Sequence, residues 1–376
     1  MQNILLFDLV ATQPNISGKR HGGGRYGEII LSRIAERNLP LICFYDSRKW
    51  LNPDTKKIIE DKGYPLYDIA TQSLDQIVVA SQAKRLYSAL PNKSMLHLSD
   101  IELVGTIHGL RELETPRDSY YWKYKNSTRD RVRFLLSWLL PSWWKNRMRN
   151  NFLRIINSGM KIITVSNHSR ASITAFFPEL QSIPQVFFSP NTSSANPVAK
   201  DVSTSKYFMM VSGNRWEKNN LRAIMAFDRL VSMGKLDGIT AVITGCSTAN
   251  FRYKLHNPDR FRFYGYVEDS VLEKLYANAY AFVYPSLNEG FGYPPLEAMR
   301  YGVPVIASPF SSISEVLGGA ALYFNPLSVE EIMSRMLLIM DPARHNQLSQ
   351  LGAQKYAEIK ARQDSDLDAL IDSLYS

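Results

Sequence analysis

The chain has 376 residues, of which 45% are hydrophobic and 21% charged. That composition suits a soluble globular protein with two domains of roughly 100–200 residues each. The two cysteines, Cys43 and Cys246, are too few for a disulfide framework or a cysteine-based metal site, and they fit a reducing cytoplasm. The net charge is +9, and it is uneven. Residues 1–200 hold 27 Lys and Arg against 16 Asp and Glu, whereas residues 201–376 hold 17 against 19. The excess points to an anionic membrane or an anionic acceptor on the N-terminal half. No motif for nucleic acid accompanies it.

The first ten residues lack a basic leader and read as a strand over 3–9, not a signal peptide. No apolar run reaches the ~18–20 residues needed to span a bilayer. Further strands are expected at 40–45, 104–108, 161–166, 206–212, 240–244, 260–264, 281–284, 303–307 and 321–324. Helical periodicity marks 26–37, 221–233, 270–278 and 296–301, and the tail from 328 is mostly helical and acidic. Apolar strands alternating with amphipathic helices predict parallel sheets wound with helices on both faces. The alternation restarts near Lys206, after a Ser-, Asn- and Pro-rich stretch at 190–205. Two domains are therefore expected, 1–195 and 196–376, with the linker between them.

Between the first strand and the first helix lies His21-Gly-Gly-Gly-Arg-Tyr-Gly27. Three glycines there suit either a phosphate-binding loop, with Gly23 and Gly24 as contacts, or a flexible turn. His108 stands at the end of an apolar strand, in Thr106-Ile-His-Gly-Leu-Arg111, as either a binding or a structural histidine. The other five histidines show no metal-ligand spacing.

Residues 117–154 hold ten Lys and Arg against two Asp and Glu, interleaved with Trp122, Trp138, Trp143 and Trp144. Basic residues flanking an apolar, Trp-rich helix suggest an anchor lying on anionic lipid. The other reading is a packed helix pair with a solvated basic face.

Val211-Ser-Gly-Asn-Arg-Trp-Glu-Lys-Asn-Asn-Leu221 reads as a strand end, a glycine turn and a helix start. Arg215 and Lys218 are placed there to neutralise a diphosphate, whose charge grows as a leaving group departs. A strand over 281–284 then runs into Glu289-Gly-Phe-Gly-Tyr-Pro-Pro-Leu-Glu297. Gly290 and Gly292 admit close approach of a ligand, and the two prolines suit a helix start. Both carboxylates thus fall at the carboxyl end of a strand beside a helix N-terminus, with Glu297 expected in the first turn. In open α/β sheets that is a ligand-binding position. Each carboxylate can accept paired hydrogen bonds from vicinal hydroxyls.

The two glutamates and their spacing resemble the E-x7-E motif of family 4 (group 1) retaining glycosyltransferases. Ala298-Met-Arg-Tyr-Gly-Val-Pro-Val-Ile-Ala-Ser308 and Ser314-Glu-Val-Leu-Gly-Gly-Ala-Ala-Leu-Tyr-Phe-Asn-Pro326 continue the pattern, and the resemblance covers most of 206–330. It implies the GT-B fold, α/β with two doubly wound Rossmann-like domains facing each other across a cleft. The N-terminal domain would take the acceptor and the C-terminal domain a nucleoside-diphosphate sugar such as a GDP- or UDP-sugar. Glu297 would hold the ribose hydroxyls and Glu289 those of the transferred sugar, with backbone amides near Phe291 and Gly292 adding to the site. Phe263-Tyr-Gly-Tyr-Val-Glu-Asp269 resembles the loop that meets the nucleobase, giving Tyr266 and Val267 as contacts. Gly23 and Gly24 would face the donor phosphates, and His108 would hydrogen-bond the sugar. The family pattern carries Arg where this chain has Glu217.

The resemblance further implies transfer with retention at a hydroxyl acceptor, without cofactor or metal. The departing phosphate would take the acceptor's proton, so no enzymic nucleophile is named. A lipid-linked or polysaccharide intermediate of bacterial surface glycan synthesis is the expected acceptor. The protein would be cytoplasmic, peripheral on the inner face of the membrane, and its oligomeric state is open. A nucleotide-sugar epimerase of similar fold would need acid and base residues that the sequence does not supply. A catalytically inactive membrane-bound scaffold would not need Glu289, Glu297 and Lys218 together.

Overall fold

A computed structural model describes residues 4–14, 22–95, 97–98, 100–156, 159–180, 182–191, 198–201 and 205–376. Its strands form two sheets. The first contains β1 (Leu5–Asp8), β2 (Leu41–Tyr45), β3 (Leu66–Asp68), β4 (Arg85–Ser88), β5 (Glu102–Ile107), β6 (Lys161–Thr164) and β7 (Gln185–Val186), in the order β3-β2-β1-β4-β5-β6-β7. The second contains β8 (Tyr207–Met210), β9 (Thr240–Thr244), β10 (Phe261–Tyr264), β11 (Ala281–Tyr284), β12 (Val305–Ala307) and β13 (Ala321–Tyr323), in the order β10-β9-β8-β11-β12-β13.

The pairs within both sheets are parallel. A parallel strand covered on both faces must be apolar throughout. β1, β8 and β11 are accordingly buried at every position. In each sheet the strand order reverses once, between β1 and β4 and between β8 and β11. That reversal opens a crevice at the carboxyl ends of the two strands.

All ten expected strands are present. β3, β4 and β7 are additional. β3 and β7 have three and two residues, and Arg85-Leu-Tyr-Ser has polar ends, so none carries an apolar run long enough to read. The first helix begins earlier than expected, at Gly22–Glu36. The expected glycine loop is thus corrected: Gly23 and Gly24 lie in the helix's first turn, and His21 lies outside the described residues.

The chain divides into two compact units. One comprises 1–110, 146–192 and 360–376, the other 111–145 and 193–359. The expected boundary at 195/196 falls within 192–197, outside the described residues. Two segments, however, sit in the unit that sequence order does not assign. The end of the long helix Pro342–Tyr375 packs on the first unit. There Arg85 donates to the carbonyls of Ser373 and Leu374 at 3.0 and 2.7 Å, and Asp366 accepts from the Phe188 amide at 2.8 Å.

Residues 111–145 join the second unit, which corrects the placement of the basic, Trp-rich segment wholly in the N-terminal domain. The cause is aromatic packing. Tyr121 and Phe134 stack at 3.7 Å, with Trp216 edge-on to both. The Tyr124 hydroxyl accepts from the Leu221 amide at 3.1 Å. Backbone bonds Lys125 N to Asn250 O and Arg252 N to Lys123 O fasten the strap further. Among the described residues, no helix is long and apolar enough to cross a membrane.

Candidate active site

In the second unit, β8 and β11 meet at the reversal, and the loops leaving their carboxyl ends carry Lys218 and Glu289. After β8 the chain makes a tight turn through Ser212 at φ 56° and a 3-10 turn, Trp216–Lys218. Asn219, also at φ 56°, starts the helix Asn220–Ser232. Asn219 is fixed by donating to the carbonyls of Pro285 and Pro326 at 3.1 and 2.6 Å. Those bonds tie the Lys218 turn to the loop that leads to Glu289.

Glu289 is 7% exposed. Its Oε1 accepts three hydrogen bonds, from Lys218 Nζ at 2.5 Å, Ser286 Oγ at 2.5 Å and Tyr284 Oη at 2.6 Å. Lys218 Nζ also donates to Tyr284 Oη at 3.0 Å. Among the described residues, Oε2 makes no hydrogen bond. One oxygen is clamped and the other remains able to accept. The Glu289 amide donates to Ser311 Oγ at 2.7 Å, and Ser312 Oγ donates to the carbonyls of Glu289 and Phe291. Ser311 has φ 54°, which is costly for a side-chain-bearing residue. Strain of this kind persists where surrounding contacts over-determine it, as around binding sites.

Burial pushes the Glu289 carboxyl up. The Lys218 charge and the hydrogen bonds from Lys218, Ser286 and Tyr284 outweigh it and bring it down to about 2. Lys218 is pulled below its ordinary value by burial, with Arg215 and Arg111 acting in the same direction and Glu289 opposing.

Gly292 caps the helix Tyr293–Arg300 at φ 106°, a conformation that favours glycine. Glu297 is the fifth residue of that helix, in its second turn, which corrects the first-turn expectation. Its carboxylate pairs with the buried phenol of Tyr276, and burial with this acidic partner raises that phenol well above its usual range. Each of the two glutamates is thus held by a buried tyrosine. Phe291 is buried at 3% exposure. Tyr266 is 65% exposed, in the loop after β10, and Val267 follows it. The Gly265 and Tyr264 carbonyls accept from the Gly245 and Cys246 amides, fixing that loop beside the end of β9.

Arg215 is exposed and makes no side-chain hydrogen bond or ion pair among the described residues. Glu217 receives an account that the sequence lacked. Its carbonyl accepts from the Leu287 amide at 2.8 Å, and its carboxylate opposes the burial that pulls the Arg117 pKa down. Glu217 therefore serves the strap on the far side of the turn.

In the first unit, the ends of β4 and β5 bring His108 and the glycine turn to one place. His108 Nε2 donates to the Ala89 carbonyl at 3.0 Å, and its ring meets Tyr26 edge-on at 4.7 Å. A Cβ on Gly23 would lie 2.8 Å from the end of the side chain of Leu90, the residue after Ala89, so a larger residue there would displace that side chain. Gly24 is buried in the same turn. Asp8, at the end of β1, accepts from Ser88 Oγ at 2.6 Å, and burial pushes its carboxyl up to about 6.

Tyr284, Ser286, Ser312, Asn219 and Tyr276 were not singled out from sequence. Tyrosines and serines in apolar strands and short loops carry no spacing signal, and their role comes only from what folding places beside them.

The topology and the paired loops define a two-unit parallel α/β protein of GT-B fold. A sucrose-phosphate synthase from Thermosynechococcus elongatus superposes over 100% of this chain and 99% of its own, with a TM-score of 0.69 at 14% identity. Anabaena HepE, solved with UDP-glucose, covers 99% of each chain with a TM-score of 0.61 at 14% identity. Residues 195–355 match the family glycosyl transferases group 1. The O-antigen chain mannosyltransferase RfbU of Salmonella typhimurium is 31% identical over 173 residues, 44% of this chain and 46% of that one. The chain spans less than half the length of the curated relatives it matches.

Proposed function

We propose that the protein is a retaining glycosyltransferase that moves a hexose-type sugar from a nucleoside-diphosphate sugar to a hydroxyl of a lipid-linked or polysaccharide acceptor. The observation that carries the reading is Glu289 at the β8/β11 reversal, one carboxylate oxygen clamped by Lys218, Tyr284 and Ser286 and the other unengaged. An ionised carboxylate with one free oxygen suits sugar hydroxyls, and Glu297 at the next helix suits the ribose. The family match, the mannosyltransferase relatives and the UDP-glucose bound by the Anabaena protein support a nucleotide-sugar donor.

The bond between the anomeric carbon and the diphosphate breaks, and a bond from the acceptor oxygen forms on the same face. The acceptor's proton passes to the departing phosphate. In this reading positive charge from the chain takes the part that a metal would otherwise play. Incubating the purified chain with GDP-mannose or UDP-glucose and a lipid-linked acceptor is expected to give a product of unchanged anomeric configuration by NMR, with full activity in EDTA. An inverted product or a metal requirement would overturn the retaining, metal-independent reading.

The acceptor side of the proposal includes a membrane surface on the cytoplasmic face. Trp122 and Phe134 pack into the strap's aromatic cluster and are lost to that role. The opposite face of the helix Thr128–Leu139 and its continuation leave Val132, Leu135, Leu136, Trp138, Leu139, Leu140 and Trp143 exposed. Arg129, Arg133 and Lys145 are exposed around them. Apolar residues of this size ringed by cations match an anionic lipid surface. The protein is expected to sediment with phosphatidylglycerol vesicles and not with phosphatidylcholine vesicles. The triple substitution Trp138→Ser, Leu139→Ser and Trp143→Ser should reduce the bound fraction severalfold. Wild-type protein that stays in the supernatant with both vesicle types would refute the anchor.

A further inference from the structure

We propose that Arg111 is a further phosphate-binding residue of the donor site, acting beside Arg215 on the diphosphate. The inference rests on the donor-site reading above and starts from a count of charge. Lys218 is the buried cation of the site, yet its ammonium is already committed to the Glu289 carboxylate. The buried pair is neutral as a unit, so a diphosphate arriving there meets little uncompensated charge from it. Nearby cations are also engaged. Arg222 is buried against Asp118 at 3.1 Å, and Arg117 lies over the Phe134 ring and faces Glu112 and Glu217. Arg111 and Arg215 differ from these. Both are exposed, and neither makes a side-chain hydrogen bond or ion pair among the described residues.

Arg111 is brought to the site by a specific contact. It opens the short helix Arg111–Glu114, whose last residue accepts from Asn288 Nδ2 at 2.7 Å. Asn288 immediately precedes Glu289. Leu113 is buried beneath, and Thr115 Oγ1 donates to the Arg111 carbonyl at 2.7 Å, which fixes the start of the turn. The charge of Arg111 is felt at Lys218, in the same sense as that of Arg215. A planar guanidinium with free donors suits bidentate contact with phosphate oxygens.

The test is calorimetric titration of the full chain and its Arg111→Ala variant with GDP and UDP, and with guanosine and uridine. Arg111→Ala should weaken the preferred nucleoside diphosphate about tenfold. It should leave affinity for the parent nucleoside unchanged, and its Tm should match wild type because the side chain has no hydrogen-bond or ion-pair partner among the described residues. Arg111→Lys should recover part of the loss. Wild-type-like diphosphate affinity in Arg111→Ala, alongside a loss in Arg215→Ala, would overturn the role of Arg111 and leave the donor site standing. Failure of wild-type protein to bind either diphosphate would overturn the donor-site reading and this inference with it.

Discussion

Glu289→Gln is expected to reduce sugar transfer by about 10²–10³-fold and to destabilise the protein by about 3–5 kcal/mol. The substitution keeps the volume and removes the charge. Lys218 then holds a buried ammonium opposite a neutral amide, and the cost of an uncompensated buried charge dominates. The new amide nitrogen also finds Lys218, Tyr284 and Ser286 already acting as donors, so the carboxamide can satisfy at most one orientation.

The pH dependence separates the charge from the shape. The Glu289 carboxyl lies near 2 in the folded chain against an ordinary 4.5. A depressed carboxyl contributes stability that is complete above about pH 4.5 and is lost as pH falls through about 2. Urea unfolding of both proteins should therefore show the largest gap at pH 7 and 5 and a narrowing gap at pH 3. A gap that stays constant over that range would refute the ionised pair. Replacing the pair together, Lys218→Met with Glu289→Leu, should restore much of the stability and none of the activity.

Asp118→Ala is expected to cost about 3–5 kcal/mol by the same physics at a second place. Arg222 is 4% exposed, its guanidinium stacks 3.6 Å above the Tyr120 ring, and its Nη1 donates to Asn219 Oδ1 at 2.8 Å. Its Nε has no hydrogen-bond partner among the described residues. Asp118 pairs with this guanidinium at 3.1 Å, so its removal strands the cation. The loss should be read in urea unfolding with activity followed in parallel. Because Arg222 supports Asn219, and Asn219 holds the Lys218 turn to Pro285, activity should fall along with stability. Arg222→Met added to Asp118→Ala should recover stability, and an additive double variant would show that the two residues are uncoupled.

Much of this was legible in the sequence. Strand positions followed from apolar runs because parallel strands are buried on both faces. Glu289 and Glu297 stood out because glycines and prolines between them announce a strand end and a helix start. The partnership of Lys218 with Glu289 was only half visible. Sequence placed Lys218 against a phosphate, and the structure binds its charge to a carboxylate 71 residues away. The strap was misassigned for a similar reason. Its composition is basic and Trp-rich, and composition does not tell which face Phe134 turns toward Tyr121. Asp118 and Arg222 are 104 residues apart, and no local pattern links them.

Neither unit is a continuous stretch of chain, and this sets the order in which the protein can be completed during synthesis. The second unit needs residues 111–145, made early, to wait for the helix at Asn220–Ser232 before Tyr121, Tyr124 and Phe134 can be covered. The first unit needs residues 360–376, made after the whole of the second unit, before Arg85 and the Phe188 amide find their partners. Nascent chains therefore carry exposed aromatic and polar surface until residues 360–376 have emerged, which lengthens the interval open to chaperones and to misassembly. A gene cut at the linker would yield two fragments, each missing a piece of its own core.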